Sequence, residues 1–114
     1  MNIDAEALAD GIWKINLAGR MDVKGTQEID VKFAGLTAGQ RNAIVVDMSG
    51  VDFLASIGIR ALLLNGKAVS QRGGKMVLLN PDANVAKVLE TAGIDMLLPI
   101  FNDLDAARQA VAAQ

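Results

Sequence analysis

The sequence predicts an α/β layered fold with a mixed sheet in one domain, and three observations carry that expectation. Stretches rich in β-branched and aliphatic residues alternate with stretches whose apolar residues recur every three or four positions, as strands interleaved with helices require. Two of the strand-like runs, Ala43 to Asp47 (AIVVD) and Lys75 to Leu79 (KMVLL), are apolar throughout apart from one end residue, the mark of strands covered on both faces. A chain of 114 residues that is 52% hydrophobic and 21% charged can close one core and has no room for a second domain.

Taken in order, Ile12, Lys14, Asn16 and Ala18 alternate imperfectly with Trp13, Ile15 and Leu17, which predicts a strand from Gly11 to Ala18. Residues 3 to 8 are a candidate partner strand, against the poor strand propensity of Asp4, Glu6 and the alanines between them. Val23, Thr26, Ile29, Val31, Phe33 and Leu36 then fall mostly at helical spacing. Asp22 is the candidate N-cap of that helix, and Gly35 or Gly39 its end. Ala43 to Asp47 is the central strand, and Met48 to Ala55 reads as a loop. A second helix spans about Ser56 to Arg72, with Ile59, Leu62, Leu63, Gly66 and Val69 on one side and Arg60, Lys67 and Gln71 on the other.

Asn65-Gly66 is a rival hairpin signal, but a hairpin would set Arg60 in the middle of a strand. Kept inside a helix, Gly66 costs roughly 1 kcal/mol relative to alanine and so predicts close packing there. Gly73-Gly74 ends the helix before the Lys75 to Leu79 strand. Pro81 and Asp82 open a third helix with Val85, Val88, Leu89 and Ala92 inward, closed by Gly93. A short Pro-interrupted strand follows near Leu98 to Phe101, and Asn102 caps a last helix with Leu104, Ala107 and Val111 inward.

Composition removes several function classes. Eleven basic and thirteen acidic residues give a net charge of −2, so no broad cationic face draws the chain to nucleic acid or anionic lipid. The absence of His, Cys and Tyr excludes imidazole and thiolate catalysis, Cys/His zinc sites and disulfides. The N-terminus lacks a signal-peptide pattern. The longest aliphatic runs are four residues, far short of the ~18 of a membrane span, so a cytoplasmic protein without membrane insertion is expected. The phosphate-loop pattern fails at both ends around Gly66-Lys67, and there is no GxGxxG. Asp22, Asp47 and Asp52, near strand ends, are the carboxylates able to hold magnesium, with caps and turns as the favoured alternative. No convergent acid–base set marks an enzyme.

The informative segment is Asp47 to Arg60, DMSGVDFLASIGIR, where a strand and turn lead into the second helix and Ser56 stands at its start. From the residues alone Ser56 is a helix cap, or else a hydroxyl whose phosphate would meet the free amides of the first turn. Asp47, Ser49, Val51, Phe53, Ser56 and Gly58 fall on the pattern DxSxVxFxxSxG, and this stretch resembles the signature of STAS domains, named for sulfate transporters and anti-sigma factor antagonists. Leu17 to Asp22 (LAGRMD) is similar to the G-x-x-D exit of that family's second strand, and the likeness covers essentially the whole chain.

That resemblance implies a STAS-like α/β fold, a mixed sheet of four to five strands with about four helices packed mainly on one face. It implies no cofactor and a binding role, that of an anti-sigma factor antagonist working by partner switching. The unphosphorylated form would bind an anti-sigma factor that is also a serine kinase; phosphorylation of Ser56 would release it and a protein phosphatase would reset the switch. Ala55 stands where some members have Asp directly before that serine. The implied partner surface is the Ser56 junction with the outer face of the second helix: Met21, Asp22, Leu54, Ala55, Ser56, Ile57, Gly58 and Arg60. Asp22 either caps the first helix alone or also presents the serine, and Leu54 is either an exposed anchor or part of the core. The alternative reading is a STAS protein that docks constitutively, as a scaffold component or a soluble subunit of a lipid transporter.

Overall fold

Five strands form one sheet in the order β1-β2-β3-β4-β5, so that neighbours in sequence are neighbours in space. The computed structural model describes residues 1–39 and 41–112. Strand β1 (Asn2–Ala7) pairs antiparallel with β2 (Ile12–Met21) across a 3₁₀ turn at Ala9–Gly11. Strands β3 (Ala43–Leu54), β4 (Lys75–Leu79) and β5 (Ile100–Phe101) each run parallel to the strand before. Parallel neighbours require crossovers, and α1 (Val23–Thr37), α2 (Ser56–Gln71) and α3 (Ala83–Thr91) supply them. Because the sheet grows in one direction, right-handed crossovers place all three helices on one face. The last helix, α4 (Leu104–Ala112), turns back over the opposite face.

Two cores result, one on each side of the sheet. Ile44, Val46, Met76 and Leu78 meet Ile29 and Phe33 of α1, Leu62 and Val69 of α2, and Val85 and Leu89 of α3. The alternate residues Val45, Val77 and Leu79 meet Ala107 and Val111 of α4. Ala43 to Asp47 is central, as its continuous apolar run requires. Gly66 sits where a Cβ would come within 2.6 Å of Leu98 Cδ2, which accounts for a glycine in mid-helix. Asn65, the other half of the hairpin signal, is buried inside α2: its Nδ2 donates to the Ala61 carbonyl at 2.8 Å and its Oδ1 accepts from Thr37 Oγ1 at 2.7 Å.

Several expectations are corrected. Met48 to Ala55 is no loop, because β3 continues through it to Leu54. The pairing of β2 with β3 shifts twice, between Asn16 and Ala18 and between Gly19 and Arg20, each time leaving one extra residue on β3. Inward residues therefore run Ile44, Val46, Met48, Val51, Leu54, with the spacing going from two to three. That broken alternation hides a strand from a period-two reading. On α1, Val23 and Val31 are exposed, Val31 at 87%, while Gly25, Thr26 and Thr37 share the inner face with Ile29 and Phe33. On α3, Val88 and Ala92 stay at the surface and only Val85 and Leu89 are buried. Strand β2 starts at Ile12 rather than Gly11, whose φ of +74° closes the 3₁₀ turn. Strand β5 is only Ile100–Phe101, with Leu98 buried ahead of it. The cap of α4 is Asp103, whose carboxylate accepts from the Ala106 amide at 3.0 Å, and not Asn102.

Candidate functional site

The doubly bulged half of β3 pairs with β2 alone, since β4 ends opposite Asp47. It delivers the start of α2 next to the end of β2. There the Ala55 amide donates to the Met21 carbonyl at 3.0 Å, and the amides of Gly58 and Ile59 donate to the Ala55 carbonyl at 3.0 and 3.1 Å. Gly58 is required by this contact: a Cβ would lie 2.7 Å from Leu54 Cδ1 and 2.8 Å from Met21 Cβ. The second glycine that shapes the region, Gly50, passes Ala18 at the first bulge with no room for a side chain.

On this support Ser56 is the first helical residue of α2 and is exposed. The cap position belongs to Ala55, which has no side-chain cap bond. Reading Ser56 as a cap is therefore wrong: its hydroxyl makes no hydrogen bond among the described residues. Beside it, at the β2 exit, Asp22 caps α1 by accepting from the Gly25 amide at 2.8 Å and also accepts from Arg20 Nε at 3.2 Å. The Gly25 amide is the main cause that holds the Asp22 carboxyl below its ordinary value; desolvation opposes it, and the Arg20 guanidinium adds to the lowering. A carboxyl-carbon NMR titration should place its midpoint below 3.8, and a midpoint at or above that value would contradict the cap. The sign follows from linkage. What this group contributes to stability is present above the unfolded aspartate pKa and disappears as pH falls through the lower folded one.

Of the eight residues expected at the partner surface, the junction presents Ser56 and Arg60 as exposed and Asp22, Ala55 and Ile57 as partly so. Met21 (0% exposed), Leu54 (5%) and Gly58 are buried, so their expected contact with a partner is corrected to support of the junction from beneath. Leu54 is core because the second bulge exchanges its facing with that of Phe53. Phe53, exposed at 38%, carries the Arg20 guanidinium 4.0 Å above its ring. This Arg20–Phe53 pair is what sequence reasoning missed, and the three-residue spacing from Met48 to Val51 to Leu54 was the signal that could have shown it. The other carboxylates are engaged elsewhere. Burial raises the Asp47 pKa, but the amide and hydroxyl of Ser49 and the Lys14 ammonium together bring it below the usual value. Its oxygens lie 2.9 Å from the Ser49 amide and 3.2 Å from Lys14 Nζ. Asp52 is exposed on the bulged strand, and among the described residues no three acidic side chains converge on a metal position.

Comparison with known proteins fits this geometry. The STAS domain model matches residues 6–107. The chain belongs to the STAS family. This STAS chain is 27% identical over 101 residues to BtrV of Bordetella bronchiseptica, named as an anti-sigma factor antagonist, covering 89% of the chain and 87% of that relative. In fold it is similar to an anti-sigma factor antagonist from Mycobacterium paratuberculosis, with TM-score 0.85, 23% identity and coverage of 96% and 92%. The same holds for the antagonist SpoIIAA. Its unphosphorylated form gives TM-score 0.77 at 21% identity, covering 96% of both chains, and its phosphorylated form 0.71 at 20%, covering 96% and 99%.

Proposed function

We propose that the chain is an anti-sigma factor antagonist that works by partner switching through Ser56. The observation that carries this reading is an exposed serine with an unbonded hydroxyl, held on a rigid strand-to-helix junction in a chain related to BtrV. In the unphosphorylated state the junction and the outer face of α2 dock on an anti-sigma factor that is a serine kinase. Phosphate transferred to Ser56 ends that complex, and a phosphatase restores it. The protein acts by binding rather than by catalysis, and in the cytoplasm; no helix among the described residues is long and apolar enough to cross a membrane. Asp22, fixed by Gly25 and Arg20, helps to present the serine to the kinase.

Immobilised protein should retain an ATP-binding kinase from an extract of the source cell and lose it when ATP is added. Mass spectrometry should then find phosphate mainly on Ser56. Ser49 donates its amide to Asp47, so a phosphate on it would sit beside that carboxylate, and Ser70 lies in the last turn of α2, where added negative charge meets the negative end of the helix dipole. Main occupancy on Ser49, Ser70 or a threonine would overturn the assignment. Retention unaffected by ATP would favour constitutive docking instead. In the same assay Asp22→Asn keeps a capping oxygen but loses the charge, so slower phosphorylation is expected; an unchanged rate would leave Asp22 as a cap alone.

A further inference from the structure

We propose that Arg60 is the internal counter-charge for a phosphate on Ser56, so that modification withdraws both the hydroxyl and a guanidinium from the docking surface. The proposal rests on the reading of Ser56 as the switch residue and adds where its phosphate goes. Ser56 and Arg60 are one turn apart on α2, at positions i and i+4, which brings their Cβ atoms to about 5–6 Å on one side of the helix. The order is the favourable one, with the anion N-terminal to the cation. Arg60 is exposed and enters no ion pair or hydrogen bond among the described residues, so its guanidinium is free to turn back.

The other charged groups around the junction are placed differently. Arg20 is engaged by Asp22 and lies over Phe53. Asp22 and Asp52 are anionic and repel a phosphate. Lys87 belongs to α3, where it lines a groove together with Ile59 of α2, and is not on the same helix as Ser56. Ala55 before the serine sets no carboxylate in competition for Arg60. A guanidinium offers a planar fork of donors to phosphate oxygens, and such charge-assisted bonds are shorter and stronger than neutral ones. In the unphosphorylated protein the same cation is available to an acidic group on the partner, so phosphorylation removes an attraction as well as adding a repulsion.

The test uses the full chain with phosphoserine installed at position 56 by genetically encoded incorporation, which needs no kinase. A phosphorus NMR titration reads the second phosphate pKa in this protein and in its Arg60→Gln, Arg60→Lys and Lys67→Gln versions. Arg60→Gln should raise that pKa by about half a unit, Arg60→Lys, which keeps the cation, should leave it near the parent value, and 1 M salt should shrink the Arg60→Gln difference. Lys67→Gln, two turns further along, should leave it unchanged. Equal values with and without Arg60, or an equal rise in Lys67→Gln, would overturn the pairing. Because the phosphate is built in, failure here leaves the kinase reading standing. Failure of the kinase to modify Ser56 would in turn leave the measured pairing intact.

Discussion

Ser56→Glu is expected to lower affinity for the proposed anti-sigma partner by more than 100-fold while leaving the circular dichroism spectrum native. The side chain at the first position of α2 points to solvent and meets nothing in the fold, so a carboxylate there costs the folded state little and gains from the positive end of the helix. In a complex packed around a bare hydroxyl, the same carboxylate becomes a clash or a desolvated charge. A penalty on the order of 3 kcal/mol already exceeds two decades in affinity. Ser56→Ala removes the acceptor of phosphate and should bind whether or not ATP is present. A glutamate variant that binds like the parent would contradict a gating role for this position.

Gly25→Ala is expected to have the largest effect on stability. The first turn of α1 crosses the end of β2 so closely that a Cβ on Gly25 would lie 1.8 Å from the Arg20 carbonyl oxygen, a backbone atom with no rotamer in which to escape. Either α1 or the β2 exit must move, and with it the Asp22 cap that depends on the Gly25 amide. We expect a loss of about 3 kcal/mol, or a fall in Tm of roughly 10–15 °C. Gly35, on the same helix, is exposed with nothing within 4 Å of its would-be Cβ, so Gly35→Ala should stabilise by about 0.5–1 kcal/mol. Thermal unfolding of the pair settles the matter: equal effects would mean that close approach at Gly25 is not the constraint.

Much of the architecture was legible because the signals are local. AIVVD names a strand buried on both faces, Asp22 and Asp82 name helix starts, and Gly66 names a tight contact, each from residues within a turn or two. What local propensity left weak or hid has a non-local origin, beginning with the candidate strand at residues 3 to 8, which does form as β1. Strand β1 forms despite Asp4 and Glu6 because pairing with β2 aligns those carboxylates with the Asn16 amide, at 2.8 and 3.4 Å, while Ile3 and Ala5 pack on the core. The second half of β3 was unreadable because its two bulges exist only opposite β2. They also decide that Leu54 is inside and Phe53 outside, a distinction that strict two-residue alternation along β3 does not supply. Ser56 was placed correctly at a helix start, but its freedom from capping duty follows from Ala55 occupying the cap position, one residue of difference that dihedral angles reveal and sequence does not.

Titration calorimetry of the anti-sigma kinase against the chain in two forms, unmodified and fully phosphorylated on Ser56, tests the switch most directly. The account predicts one-to-one binding for the unmodified form and affinity at least 100-fold weaker for the phosphorylated form, with the same thermal midpoint to within a few degrees. Equal affinity for the two forms would contradict it and establish a STAS domain that docks constitutively.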